Sequence, residues 1–305
     1  MLIIQQDQRK VINPMLVGAH MANGPITDAD LALFKTGGFS AAKLMDYHTM
    51  DDVKRIRAEA SICHFMGRLP NFPLPQGVSN LPRKYADACL GTIEELYPAV
   101  TLYQFATEPN EDWVTVENGP FNFTTYARES LKLLRDGLKD RKDVRLISPP
   151  LSWAPGMWRH DPPGTPPEKR KNKSVWILDQ WLNAYLRGAE DGGNFLRLFD
   201  LVGADSYFQS AGQMQDLSYG GSFQTLHMLS GGMDVVLCEW ASSCHLLSPR
   251  PDVEAVRTAT YPAYLRWLQG FGYVQDSYVF INGGTATWEG FRLTERVCTA
   301  VAGAL

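Results

Sequence analysis

Two glutamates in this chain each close an apolar run, and acid chemistry on a substrate would start there. Glu108 ends the run 100–107 and is followed by Pro109-Asn110. Glu239 ends the run 235–238 and is followed by Trp240. A carboxylate at the end of a buried strand costs stability unless it has a partner. Two of them on well-separated segments point to a site assembled from different strands. A pair of carboxylates is what the hydrolysis of a glycosidic bond requires.

Other reactive side chains form weaker patterns. His20 and His64 lie near the ends of apolar runs, and each is a candidate to bind substrate; Arg68 is placed to steady a carboxylate. The six histidines are scattered, with no His-x-His beside His20, so a metal-dependent hydrolase is a minor rival and no metal is expected. The segment Asn282-Gly283-Gly284-Thr285 has the look of an anion cradle, but Trp288 and Glu289 crowd it and a tight turn reads better. The five cysteines are odd in number and match no zinc or disulfide framework, which favours a reduced setting. No cofactor is implied.

Bulk composition narrows the classes further. A formal charge of −4 argues against nucleic acid or an anionic membrane as the main partner. The cluster Lys169-Arg170-Lys171-Asn172-Lys173 reads as a solvated loop. The N-terminus lacks the basic lead and apolar core of a signal peptide, so the expectation is a cytoplasmic protein or a mature secreted form. No run approaches the ~20 apolar residues of a spanning helix.

The elements that must position the two glutamates alternate along the chain. Strands are expected over 15–20, 40–45, 61–67, 100–107, 144–148, 201–206, 234–239 and 277–281. Helical patterns fall between them: one capped by Thr27 or Asp28 and ending near Gly37-Gly38, one capped by Thr49, then 85–96, 124–138, 175–198, 223–229, 253–268 and 293–302. Strands and helices in strict alternation imply parallel strands with helical crossovers. With 305 residues, the expectation is an α/β chain forming one catalytic domain over 1–305, a (β/α)8 TIM barrel. A doubly wound sheet is disfavoured because no Gly-x-Gly-x-x-Gly follows the first strand. The segment 149–174 carries seven prolines with Trp153 and Trp158, and forms an enlarged loop after the fifth strand. On a barrel this loop belongs to the rim where sites are built, which makes Trp153 a candidate substrate contact. Pro109 is expected to hold Glu108 extended.

Glu108-Pro109-Asn110 after the fourth strand, with an isolated Glu239 closing the seventh, resembles clan A of the glycoside hydrolases. That resemblance implies a retaining (β/α)8 glycosidase acting on a β-linked glycoside or polysaccharide. Glu108 would then be the general acid/base and Glu239 the nucleophile. It also implies substrate-side roles for Tyr207, which is similar to a tyrosine that bonds the nucleophile, and for Trp288, which is similar to a tryptophan flooring the subsite next to the cleavage point. In this sequence Thr107 stands where the clan usually has the asparagine that contacts the sugar 2-hydroxyl; Asn110 is a candidate substitute. The two carboxyl groups should lie about 5–5.5 Å apart for retention. The alternative from another class is a non-catalytic carbohydrate-binding barrel, kept open by Thr107. The expected partner is a carbohydrate; sugar, linkage and oligomeric state stay open.

Overall fold

A computed structural model describes residues 14–21, 24–71, 81–112, 119–153, 176–187, 193–281 and 288–305. The strands are β1 Leu16–His20, β2 Ala41–Leu44, β3 His64–Arg68, β4 Leu102–Gln104, β5 Arg145–Ile147, β6 Val202–Phe208, β7 Val235–Ser242 and β8 Val274–Val279. They form one sheet in the order β5-β4-β3-β2-β1-β8-β7-β6, with every paired neighbour parallel. The two ends of that order meet at the bridge Ile147–Leu201, where the Ser148 N–H donates to the Leu201 carbonyl at 3.0 Å. The sheet is therefore a (β/α)8 barrel. Closure depends on Gly203: a Cβ there would lie 2.2 Å from the Ser148 carbonyl oxygen.

The helices are α1 Asp28–Gly37, α2 Met50–Ala60, α3 Pro82–Leu96, α4 Pro109–Asp112, α5 Pro120–Gly137, α6 Leu178–Arg187, α7 Ser222–Leu229, α8 Val253–Leu268 and α9 Glu295–Ala302. Thr27 and Thr49 open α1 and α2 with capping boxes, each hydroxyl accepting from the N–H three residues on while Asp30 or Asp52 takes the threonine N–H. Gly38, at φ 63°, ends α1. The helix expected over 175–198 is shorter. After α6 the chain restarts at Asn194, whose side chain accepts from Leu196 N–H and caps a 3-10 turn over Phe195–Leu198. Most of the proline-rich segment, with Trp158 and the basic cluster, lies outside the described residues.

Two apolar clusters hold the barrel. The larger lies between the outer face of the sheet and the helices. The smaller fills the lumen with Ala41, Met66, Leu102, Ile147, Val236 and Tyr278, drawn from different strands. Alternation then assigns the inner face one step further along each strand. In β1 to β4 that step is His20, Lys43, Arg68 and Gln104. On β6 it is Asp205 and Tyr207, in phase with Leu201 of the lumen cluster.

Strand β7 breaks this rule in a useful way. Val236 and Cys238 both belong to the lumen cluster, so strict alternation would turn Glu239 out toward the helices. Yet Ala204 pairs with Leu237 while Asp205 pairs with Glu239, leaving Cys238 as an extra residue. This bulge resets the phase and sends Glu239 inward directly after Cys238. Trp240 then faces outward, its ring 5.0 Å from both Tyr261 and Tyr264. The strand also runs on to Ser242, so Glu239 sits within it instead of closing it.

Candidate active site

Glu239 is buried, and its two oxygens are held differently. Oε1 accepts from Lys43 Nζ at 2.7 Å and lies 3.4 Å from His20 Nε2. Oε2 accepts from the Tyr207 hydroxyl at 2.8 Å. Burial alone would raise the Glu239 carboxyl, but the positive charge of Lys43 and its hydrogen bond outweigh it and hold the group well below the ordinary carboxylate range. It is therefore ionised at neutral pH. The Tyr207 hydroxyl is pushed well above its usual range, first by burial and then by the charges of Glu239 and Glu108, so it stays a donor. The phenol thus senses both carboxylates.

Glu108 reaches the site by a different backbone path from the expected one. β4 stops at Gln104, whose Nε2 donates to the Ala106 carbonyl and to Thr107 Oγ1, both at 2.8 Å. The chain then turns through two left-handed residues, Ala106 at φ 57° and Glu108 at φ 36°. The expectation of an extended Glu108 is thus corrected. Pro109, which has no N–H to satisfy, opens α4, and the Glu108 carbonyl accepts from Glu111 N–H at 2.8 Å. Non-glycine residues with positive φ are held only where their surroundings impose it, and such strain gathers at functional sites. The half-buried Glu108 side chain projects from this turn.

Two more buried groups flank Glu239. His20 Nδ1 lies 2.6 Å from the Met21 carbonyl, a contact that requires the proton on Nδ1. Burial and the neighbouring Lys43 charge lower this imidazole to about 4, so it is neutral. Asp205 is fully buried, and burial together with the Glu239 charge raises its carboxyl well above the ordinary range. It keeps its proton, and the layer holds one ion pair, Lys43 with Glu239, beside a neutral acid and a neutral imidazole.

An aromatic wall rises from this layer to the rim. Phe280 meets His20 at 5.1 Å, Tyr207 at 6.1 Å and Trp288 at 5.4 Å, all edge to face. Trp288 is 38% exposed. An exposed indole edge-packed at a site mouth can stack on the apolar face of a sugar. The segment 282–287, which carries the glycine pair, lies outside the described residues.

Of the residues singled out in the sequence, the structure gathers Glu239, Tyr207 and His20 in direct contact, Glu108 within charge range of Tyr207, and Trp288 through Phe280. Five others make different contacts. Thr107 is buried, with its oxygen turned down onto Gln104. Asn110 is corrected to a structural role: its amide donates to the Ser152 carbonyl at 2.9 Å and accepts from Ser152 N–H at 2.8 Å, pinning α4 to the chain after β5. Trp153 is only 1% exposed, packed into the outer core, and offers no face to a ligand. His64 begins β3, so it lies at the opposite end of the barrel, exposed, within charge range of Asp276. Arg68 points its guanidinium at Met45 Sδ, 3.8 Å away, and its charge acts on Asp205. Sequence reading passed over Lys43, Phe280 and Gln104. Lys43 had a signal: strands of a parallel barrel are buried on both faces, so a lysine inside Ala41-Ala42-Lys43-Leu44 has no solvent side to occupy.

Among the described residues no group of three or more His, Cys, Asp or Glu side chains is placed to hold a metal ion, and no helix is long and apolar enough to cross a membrane.

No family model matches the sequence, and no curated protein sequence matches it. Solved structures do match the fold. One is a GH128 (subgroup II) endo-β-1,3-glucanase from Sorangium cellulosum, at 13% identity and TM-score 0.57, covering 94% of this chain and 98% of that one. A second is a GH128 (subgroup III) curdlan-specific exo-β-1,3-glucanase from Blastomyces gilchristii in complex with glucose, at 16% identity and TM-score 0.53, covering 95% and 99%. A third is a GH128 (subgroup I) endo-β-1,3-glucanase from Amycolatopsis mediterranei in complex with laminaritriose, at 14% identity and TM-score 0.53, covering 95% and 99%. At these identities the likeness establishes the barrel.

Proposed function

We propose that this chain is a retaining glycoside hydrolase that cleaves a β-linked glucan, with a β-1,3-linked glucan as the first candidate substrate. Glu239 is the nucleophile and Glu108 the general acid/base. The observation that supports this most directly is the Tyr207 hydroxyl: it bonds the ionised Glu239 and lies within range of the Glu108 charge, at the mouth of a barrel. The solved neighbours of the same fold act on β-1,3-glucan, which suggests the linkage.

In the first step Glu239 attacks the anomeric carbon. The bond to the departing oxygen breaks, and Glu108 supplies that oxygen with a proton. In the second step Glu108 takes a proton from water, whose oxygen bonds the same carbon and frees Glu239. The two roles need one carboxylate and one carboxylic acid at the same pH. The Lys43 contact answers the first requirement.

The test is hydrolysis of laminarin, curdlan, other β-glucans and aryl β-glycosides, with the first-formed anomer read by proton NMR. A β-anomer as first product from a β-1,3-glucan is expected. An α-anomer first would replace double displacement with inversion. Glycan binding with no turnover on the whole panel would replace catalysis with a binding function.

A further inference from the structure

The two oxygens of Glu239 do not have equivalent surroundings. Oε1 faces the buried layer, where Lys43 is 0% exposed and bonds it at 2.7 Å. The one other hydrogen bond of that ammonium among the described residues goes to the Cys238 carbonyl at 3.3 Å. Oε2 faces the half-buried Tyr207 hydroxyl on the side of the mouth. Among the described residues, the remaining charged or titratable groups around Glu239 are His20 on β1, Asp205 on β6, the neighbouring Cys238 on β7 and Glu108 beyond β4, with Arg68 on β3 acting on Asp205. Of these, Lys43 alone places a full positive charge in contact with the carboxylate.

An oxygen lone pair already occupied by a buried ammonium is a poor nucleophile, whereas the oxygen shared with a neutral phenol at the mouth remains available. Taking Glu239 as the nucleophile, as proposed above, we infer that Oε2 bonds the sugar and that Lys43 is a positioning residue for the second step. In the glycosyl-enzyme, Oε1 becomes the ester carbonyl oxygen and keeps its hydrogen bond to Nζ. When water attacks, its oxygen bonds the anomeric carbon. The carbon–Oε2 bond breaks, its electron pair returns to the carboxylate, and the proton passes to Glu108. Negative charge thus reappears beside a cation that never moved, which is preorganised stabilisation of a leaving group. The same cation opposes the first step, because that step consumes the charge it is paired with. Lys43 therefore trades attack for release.

The test compares wild type with Lys43→Met, a neutral side chain of similar length, using 2-deoxy-2-fluoro-β-laminaribiosyl fluoride to trap the intermediate. Peptide mass spectrometry locates the adduct, and its reactivation is followed after removal of excess reagent. The expected result is an adduct on Glu239 in both proteins, with reactivation of Lys43→Met slowed tenfold or more. On an activated aryl β-laminaribioside, kcat should fall more than kcat/KM, and the acid limb of kcat/KM should move to higher pH. A purely structural lysine would give no such split. Wild-type-like reactivation of the Lys43→Met adduct overturns the inference and leaves the nucleophile assignment standing. Absence of any adduct on Glu239 in wild type overturns both. If Lys43→Met does not fold, a crystal structure of the trapped wild type decides: the anomeric carbon on Oε2 with Nζ still bonded to Oε1 supports the inference, and the carbon on Oε1 ends it.

Discussion

Replacing Glu239 by glutamine should abolish turnover and also destabilise the fold, which is an unusual combination for an active-site substitution. The reason is Lys43. In the native protein its buried ammonium is neutralised by Glu239 at 2.7 Å. Glutamine still accepts a hydrogen bond but leaves the charge uncompensated, and removing one partner of a buried pair costs about 3–5 kcal/mol. Unfolding entropy is about 2.1 cal/mol/K per residue. For 305 residues this translates into a fall in Tm of about 5–8 °C. The sign with pH follows from the direction of the shift. The folded Glu239 carboxyl lies below its unfolded value of 4.5, so the stabilisation is full above that pH and fades as pH drops beneath it. Differential scanning calorimetry at pH 7 measures the loss. Converting the lysine as well, in Lys43→Met/Glu239→Gln, should recover most of it, because both charges are then gone. A single variant that melts at or above wild type at pH 7, or a double variant no better than the single, would refute the reasoning.

Glu108→Ala should lose far more activity on glucans than on aryl glycosides with good leaving groups, a difference read directly from kcat/KM on the two substrates. Tyr207→Phe removes a hydrogen bond to a charged group, worth about 1.5–3 kcal/mol. A loss of roughly 10- to 150-fold in kcat/KM is expected at unchanged fold by circular dichroism. At the far end of the barrel, burial raises Asp276 to about 6 against the opposing pull of Arg145 and His64. The native state therefore binds a proton that the unfolded chain releases, and stability falls as pH rises from about 4 to 6, by about 3 kcal/mol in all. Asp276→Asn should flatten that fall and raise stability at pH 7, as measured by chemical denaturation at both pH values.

The barrel was legible because parallel strands buried on both sides leave continuous apolar runs, and because Thr27, Thr49 and Gly38 punctuate their helices locally. Position along the strand was harder to read. His64 opens its strand instead of closing it, and that one difference moves it to the other end of the molecule. Asn110 fits a sugar-binding motif by spacing, but α4 turns its amide onto the Ser152 backbone. Glu239 was placed on the right strand with the wrong local geometry. Alternation from Val236 and Cys238 would have turned it outward, and the bulge that corrects this comes from pairing with β6, a long-range fact. The left-handed path to Glu108 is likewise braced by Gln104 reaching forward to residues 106 and 107, and no local rule predicts it.

The apolar fill of the lumen has a bearing on proton traffic. Met66, Leu102, Ile147 and Val236 form an apolar floor under Lys43, Asp205 and Glu239, and the phenol among them, Tyr278, turns its hydroxyl to Asp276 at the far end of the barrel. Those apolar side chains carry no proton, so the mouth is the direct route for hydrogen ions. A sugar ring seated across the opening would act as a stopper, fixing the number of exchangeable hydrogens beneath it until the product leaves. The acid that Asp205 retains would then be sealed in for each turnover, a closed inventory set by the moment of binding.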